Sequence, residues 1–158
     1  MKIQIRDLTL ADFDAVNSLF MQLHNLHVVN RPDIFKKIEK PTTPQAWGFE
    51  SSLEDKNKIL LGAEIDGKIV GLCFVIIRQP KNKALVPRIC AFIDDIVVDK
   101  NYRKKGIGAA LYNETVKRSK LRGATAVELG VSSFNTAAIS FYKSLGMTIQ
   151  NYKMEQTI

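Results

Sequence analysis

Apolar and polar positions change period several times along the chain, and each period predicts one kind of element. Residues 2–6 alternate apolar and polar side chains, which predicts a first strand. Apolar side chains then recur at helical spacing, which predicts a helix to about His27, with Thr9 as N-cap and Asp12 in a capping-box position. The pair Thr43-Pro44 indicates the start of a second helix, because proline is favoured at the first helical position.

The middle of the chain is typical of strands. The pattern predicts strands over Ile59–Ile65 and Lys68–Arg78, joined by a tight turn at Asp66-Gly67. A long apolar strand is predicted over Arg88–Val98, and Asp94-Asp95 interrupts it. Because these strands follow one another without intervening helices, we expect them to pair antiparallel.

The last third of the chain alternates between helical and strand patterns. The predicted elements are a helix over about Gly106–Leu121, a strand over Thr125–Val131, a short helix capped by Asn135 or Thr136 that ends near Leu145, and a last strand over Met147–Glu155. The strand, helix and strand around the first of these helices have the length of a parallel crossover unit. The sequence therefore predicts an α/β fold (α+β, with a mixed sheet) in a single domain over residues 1–158.

Composition is that of an ordinary globular protein, with 158 residues, 46% hydrophobic and 25% charged. The apolar runs are shorter than the ~20 residues of a membrane span, and the N-terminus lacks the apolar core of a signal peptide. We therefore expect a cytoplasmic protein with no membrane partner. Cys73 and Cys90 lie in apolar strands without neighbouring ligands, which indicates buried free thiols and no metal site.

The segment 101–109 carries the most specific chemistry in the sequence. It follows a strand and opens a helix, whose unpaired N–H groups attract anions. Its cations and small residues suit a diphosphate; they are Arg103, Lys104, Lys105, Gly106, Gly108 and Ala109. Taken alone, the segment is equally compatible with a solvated basic loop whose glycines serve a turn. The formal net charge of +7 favours an anionic partner, which could be a nucleic acid or a phosphorylated cofactor.

Two motifs together resemble one known family. Arg-x-x-Gly-x-Gly after an apolar strand is similar to the acetyl-CoA signature of the GNAT superfamily of N-acetyltransferases. Residues 135–147 resemble that family's Asn-x-x-Ala-x-x-Phe-Tyr-x-x-x-Gly-Phe segment, with Met147 in place of the last Phe. The resemblance implies the GNAT fold, in which a mixed sheet flanked by helices splays between two parallel strands. It also implies transfer of the acetyl group of acetyl-CoA to a primary amine, by direct attack through a tetrahedral intermediate.

The resemblance also implies where acetyl-CoA binds. It would lie between the strands Arg88–Val98 and Thr125–Val131, with Asn135 hydrogen-bonded to the pantetheine arm. A backbone N–H near Ile96 would stabilise the oxyanion. The other contacts would come from backbone groups of Ile96, Val97 and Val98, and from the pyrophosphate loop Arg103, Lys104, Lys105, Gly106, Ile107, Gly108 and Ala109.

Two catalytic roles follow from the same resemblance. Tyr142 would donate a proton to the departing CoA thiolate, although its position beside Phe141 is also that of a core aromatic. Residues 92–96 resemble the acidic pair of diamine acetyltransferases, which makes Asp94 a hypothetical general base or amine-binding anion. Adjacent strand residues point to opposite faces, so at most one of Asp94 and Asp95 faces a given side. Carboxylates that anchor neighbouring loops are the alternative.

The acceptor is the least determined part of the prediction. The acidic pair favours a small cationic amine, whereas Gly130 stands where acetyltransferases of the ribosomal-protein alanine type place a glutamate base. A protein or peptide amine, or a catalytically silent CoA-binding module, are the alternatives. No nucleic-acid motif accompanies the basic residues, so no nucleic-acid partner is expected; a homodimer is compatible with the family. Candidates for the acceptor pocket by position alone are His24, His27, Arg31, Trp47 and Phe49.

Overall fold

The computed structural model of the protein describes residues 2–158. Its elements, in chain order, are β1 (Gln4–Asp7), α1 (Phe13–Asn30), α2 (Phe49–Glu54), β2 (Lys58–Ile65), β3 (Lys68–Arg78), β4 (Cys90–Val98), α3 (Ile107–Leu121), β5 (Ala126–Leu129) and α4 (Thr136–Ser144). No helix within these residues is both long and apolar enough to cross a membrane.

The strands form one mixed sheet in the order β1-β2-β3-β4-β5. The first three pairings are antiparallel, and the last, between β4 and β5, is parallel because α3 crosses over between those two strands. Helices cover both faces of the sheet. The predicted α/β class with a mixed sheet is therefore confirmed.

Each face of the sheet buries its own apolar cluster. Helix α3 covers one face with buried side chains at four-residue intervals: Ile107, Leu111, Thr115 and Ser119. The helix lies close to β3 because Gly71 has no side chain; a Cβ there would lie 3.2 Å from the side chain of Leu111 and 3.3 Å from that of Ile107. Helices α1 and α2 cover the other face, where the ring of Phe20 meets that of Phe74 edge-on at 5.1 Å.

Helix starts and ends differ from the prediction at two points. The capping box forms as predicted, since the N–H of Thr9 donates to the Asp12 carboxylate at 2.8 Å. Helix α1, however, continues past His27 to Asn30. The second helix begins at Phe49 rather than at Thr43-Pro44, because the two residues before it have positive φ and break a helix.

The segment 31–45 forms no helix or strand, and α1 holds it in place. His24 Nε2 donates to a main-chain carbonyl of this segment at 2.9 Å. The buried Asn17 donates to the carbonyl of Pro41 at 2.6 Å and accepts from the indole N–H of Trp47 at 2.8 Å. These contacts fix the segment along α1, where its first residues border the cleft described below.

The predicted last strand over Met147–Glu155 was wrong, because these residues form no strand in the described chain. Its large apolar side chains are exposed and give a strand no buried face to rest on; they are Ile149, Tyr152 and Met154. Side-chain contacts hold residues 147–158, here called the tail, in place. Gln150 donates to Glu128 at 3.2 Å, and Glu155 pairs with Arg31 at 2.6 Å.

Candidate active site

A β-bulge in β4 decides which acidic side chain faces which side of the sheet. The register with β3 shifts between Ile93 and Asp95, so Asp94 is the extra residue of the bulged strand. The bulge reverses the alternation of side chains: Ile93 belongs to the cluster under α3, whereas Val97 belongs to the cluster under α1. Asp95, two residues before Val97, therefore faces α1.

The parallel strands separate directly at the bulge. Strand β5 pairs with β4 from Ala126 to Leu129, which lies opposite Ile93, and ends there. Residues 96–98 continue beside β3, and no strand of residues 2–158 pairs with their other edge. A cleft of about 1600 Å³ opens between β4, β5, α1, α4 and the tail. Backbone groups at the open edge are free to bind an extended ligand.

The glycine-rich loop lies beyond the end of β4 and starts α3. Gly106 has a φ of +81°, a conformation that favours glycine, and directly precedes the helix. The N–H of Ala110 donates to the Gly106 carbonyl at 3.0 Å. The N–H groups of residues 107–109 therefore lie outside the helical ladder and point out of the helix start.

Three exposed cations surround this helix start. The Nε of Arg103 donates to the carbonyl of Val98 at 3.1 Å, which joins the loop to the end of β4. Lys105 donates to the carbonyl of Asn101 at 3.2 Å, and Lys104 has a positive φ of 59°. Free N–H groups and positive charge thus coincide at one end of the open strand edge, an arrangement that suits a diphosphate.

Helices α3 and α4 touch where the two sequence motifs meet. A Cβ on Gly108 would lie 3.1 Å from the ring of Phe141, so this glycine allows the two helices to pack. From the sequence we expected Gly108 instead to let the backbone approach an anion closely. Asn135 caps α4, because its Oδ1 accepts the N–H of Ala138 at 3.2 Å. The NH₂ group of Asn135 is the part left to donate to a ligand.

Tyr142 lies on α4 and lines the cleft as a half-buried side chain. Burial raises the pKa of its phenol to about 12, and the nearby Cys73 and Asp95 act in the same direction. The hydroxyl therefore keeps its proton throughout the neutral range and can donate it to a group that becomes negatively charged.

The two neighbouring acids have different surroundings. Asp94 is exposed, whereas Asp95 is partly buried, and both line the cleft. Burial raises the pKa of Asp95 to about 6, repulsion from Asp94 adds to the rise, and the nearby His27 opposes it. Neither carboxylate has an ion pair or side-chain hydrogen bond within the described residues. At neutral pH Asp95 is thus mainly ionised and able to accept a proton.

Aromatic side chains form the wall of the cleft beside Asp95. The ring of His27 lies 4.9 Å from that of Phe35 and 5.7 Å from that of Phe134, measured between centroids. Nδ1 of His27 donates to the carbonyl of Leu23 at 2.9 Å, which fixes the orientation of the ring. We call His27, Phe35 and Phe134 the aromatic wall.

The structure brings only part of the proposed acceptor set to the cleft. His27 and Arg31 line it, but Trp47 packs against Phe20 and Phe49 is buried in the core. His24 does not line the cleft. Sequence reasoning missed Phe35 and Phe134, because neither lies in a segment with a helical or strand period.

The cysteines are free and buried, as predicted. Thr115 donates to the sulfur of Cys73 at 3.3 Å, and burial raises the pKa of the Cys73 thiol to about 12. No group of three or more metal-binding side chains converges anywhere in residues 2–158. Both thiols are protonated packing residues at neutral pH.

Comparison with known sequences connects this geometry to acetyl transfer. The acetyltransferase (GNAT) family profile matches residues 20–147. An uncharacterized N-acetyltransferase of Methanocaldococcus jannaschii is 36% identical over 100 residues, which cover 63% of this chain but only 43% of the relative. An N-alpha-acetyltransferase of Sulfurisphaera tokodaii is 28% identical over 131 residues, covering 79% of this chain and 78% of the relative. The match thus spans less than half the length of the first relative.

A solved structure shares the whole architecture. A mutant of the BH1408 protein from Bacillus halodurans superposes with a TM-score of 0.92 at 30% identity, over 98% of this chain and 99% of that chain. The mixed sheet, its open edge and the flanking helices therefore belong to a fold with a close solved counterpart.

Proposed function

We propose that this chain, which belongs to the acetyltransferase (GNAT) family, moves the acetyl group of acetyl-CoA to a primary amine that binds beside Asp95. The observation that carries the proposal is the bulge in β4, since it joins the open strand edge to Asp95 in one cleft. Tyr142 lines the same cleft. Ile96 of the open edge, a base and an acid therefore line one cleft, and the loop that starts α3 lies beyond the end of β4.

The donor site fits the chemistry of acetyl-CoA. Free N–H groups at the start of α3 and the cations Arg103, Lys104 and Lys105 would hold the pyrophosphate. The open edge of residues 96–98 would bind the pantetheine amides, and the NH₂ group of Asn135 would donate to the same arm. When bound, acetyl-CoA supplies an activated acyl group with a thiolate as leaving group.

The residues of the cleft divide the proton transfers between them. Asp95 accepts a proton from the ammonium of the acceptor, so that the free amine attacks the thioester carbonyl. A backbone N–H near Ile96 stabilises the charge that develops on the carbonyl oxygen. Tyr142 gives its proton to the departing sulfur as the carbon–sulfur bond breaks, and its phenolate then takes the second proton from the new amide nitrogen, so that one proton in total leaves through Asp95. Asp95 takes the role that the sequence had suggested for Asp94, because the bulge turns Asp95 toward the cleft wall.

The pair Asp95→Asn and Asp94→Asn tests this assignment. For the native protein we expect kcat/KM to rise through about pH 6 as Asp95 loses its proton, well below the titration of the amine itself. Asp95→Asn should lower kcat/KM about 100-fold or more and abolish this limb. Asp94→Asn should retain activity and move the rise of kcat/KM to lower pH, because it removes the repulsion that helps to raise the pKa of Asp95. Equal losses in the two variants, or an unchanged pH profile in Asp95→Asn, would contradict the assignment.

Thermal unfolding separates lost chemistry from lost folding in these variants. Folding raises the pKa of Asp95 from its ordinary 3.8 to about 6, so the cost of Asp95 to folding is absent below pH 3.8, grows between pH 3.8 and about pH 6 and is complete at pH 8. Asp95→Asn should therefore raise Tm at pH 8 by more than at pH 5. A variant that is inactive and also less stable at pH 8 would leave no support for the role as a base.

A peptide N-terminus is the second candidate acceptor, since one relative is named an N-alpha-acetyltransferase. Free-CoA release from acetyl-CoA, measured with a panel of small amines and of short peptides, separates the two. Turnover with neither, together with tight CoA binding, would instead indicate a catalytically silent CoA-binding module.

A further inference from the structure

Only half of the carboxylates that line the cleft are free to bind an amine, because the other half are neutralised by arginine. Four acids line the cleft: Asp94, Asp95, Glu128 and Glu155. Glu128 pairs with Arg88 and also accepts from Gln150, and Glu155 pairs with Arg31 at 2.6 Å. Of these four acids, only Asp94 and Asp95 have no arginine partner within residues 2–158. As chain neighbours, they offer negative charge at a single place in the cleft.

The unpaired remainder of the charged lining is positive. Arg31 and Arg88 are neutralised by the two glutamates, which leaves the exposed Lys120, Lys143 and Lys153. A second ammonium on an acceptor would meet these lysines and no further unpaired acid. Because like charges repel, the cleft disfavours polycations.

The surface next to the unpaired acids is aromatic. The aromatic wall of His27, Phe35 and Phe134 borders the same cleft as Asp95, and His27 lies close enough to lower the pKa of that carboxylate. Its rings are held by one another and by the bond from His27 to Leu23. In phenethylamine about two carbons separate the ring from the nitrogen. A peptide that begins with Phe has the same spacing between its ring and its terminal amine.

We infer that the acceptor is a primary amine with one positive charge and an apolar or aromatic group close to the nitrogen, and that polyamines and aminoglycosides are poor substrates. This inference rests on the proposed function. It narrows the acceptor class, since the acid pair alone is equally suited to polycationic amines. The amine end would bind Asp95 and Asp94, and the apolar group would lie on the aromatic wall.

Matched amines test the inference through free-CoA release. Phenethylamine should exceed ethylamine in kcat/KM by about tenfold or more, because it adds only a ring that the wall can bury. Hexylamine should exceed 1,6-diaminohexane, which adds only a second ammonium. Spermidine and kanamycin should be weaker still. A short peptide amide that begins with Phe presents the same ring and amine at a peptide N-terminus. A higher kcat/KM for this peptide than for phenethylamine would indicate a peptide acceptor, and a lower one a small amine. Preference for the diamine or for spermidine would overturn the inference.

Variants and a binding measurement complete the test. Phe35→Ala should bring the phenethylamine-to-ethylamine ratio toward one, whereas Val29→Ala, on the exposed side of α1, should leave the ratio as in the native protein. An unchanged ratio in Phe35→Ala would contradict the inference. Calorimetry on the CoA-bound protein compares phenethylamine with 1,6-diaminohexane without turnover. Tighter phenethylamine binding with no turnover would refute the proposed function while supporting the substrate class, and tighter diamine binding would refute the class.

Discussion

Tyr142 and Asp95 share one cleft, and burial moves their pKa values in the same direction with opposite consequences. The pKa of Tyr142 rises to about 12 and that of Asp95 to about 6. At neutral pH the phenol therefore holds a proton that it can donate, while the carboxylate has lost its own and can accept one. Two residues with such separated pKa values suit the two proton transfers of an acyl transfer to an amine.

The substitution Tyr142→Phe isolates the acid. It keeps the ring, so packing and the KM for acetyl-CoA should change by less than about threefold, while kcat should fall about 100-fold because the leaving sulfur receives no proton from the enzyme. Steady-state kinetics give both values. Tyr152→Phe removes the hydroxyl of an exposed tyrosine in the tail that also lines the cleft, and it controls for the loss of a phenol there. An unchanged kcat in Tyr142→Phe would exclude Tyr142 from the mechanism.

At the scale of elements, the two sequence motifs are physically one unit. The motif at the start of α3 contributes Gly108, and the motif on α4 contributes Phe141, which packs on it. The position of α4, and with it Tyr142, therefore depends on the absence of a side chain at residue 108. Gly106 is needed for a different reason, its positive φ, and meets no atom within 4 Å of a built Cβ.

Double substitution distinguishes these two reasons. Gly108→Ala should cost about 1 to 3 kcal/mol through overpacking against Phe141, and Phe141→Leu in the same chain should recover part of that loss. Gly106→Ala should cost about 1 kcal/mol through backbone strain, and Phe141→Leu should give no recovery. Urea unfolding of the single and double variants measures these free energies. Equal recovery of both alanine variants would show that the contact does not determine the requirement for Gly108.

At the scale of the whole molecule, positive charge is concentrated where the donor would bind. The chain carries a formal net charge of +7, and Arg103, Lys104 and Lys105 are exposed at the start of α3. Ion pairs engage five of the other lysines and arginines, among them Arg6 with Asp12 and Arg118 with Glu114. The basic balance is therefore consistent with an anionic co-substrate rather than with a general polyanion surface.

Ionic strength should accordingly act on the donor more than on catalysis. Raising salt from about 0.05 M to 0.5 M shortens the screening length to a few ångströms, so KM for acetyl-CoA should rise several-fold while kcat changes little. Lys104→Ala should flatten this dependence. Lys68→Ala, which removes an exposed cation at the start of β3, should leave it unchanged. The same salt slope in both variants would argue against pyrophosphate binding at this loop.

Local pattern predicted most of the elements, and failures occurred where local pattern is not the deciding force. Strand Lys68–Arg78 has the predicted bounds, because its apolar run ends at a turn on one side and a polar loop on the other. The predicted strand over Met147–Glu155 failed, because alternation alone does not provide a buried face. Phe35 and Phe134 were missed because their importance comes from lying beside His27 and not from their neighbours in sequence.

The sequence by itself determined the family and the mixed sheet, and it was enough to propose a donor end at the start of α3. A glycine-rich helix start and its capping residues are local features, so their spacing along the chain is enough to specify them. Only the tertiary structure shows which side chains would form the proposed acceptor end. Which of Asp94 and Asp95 faces α1 and the aromatic wall depends on a bulge that exists only when β4 pairs with β3. The aromatic wall and the arginine-bound acids depend on residues far apart in the chain, and only folding brings them together.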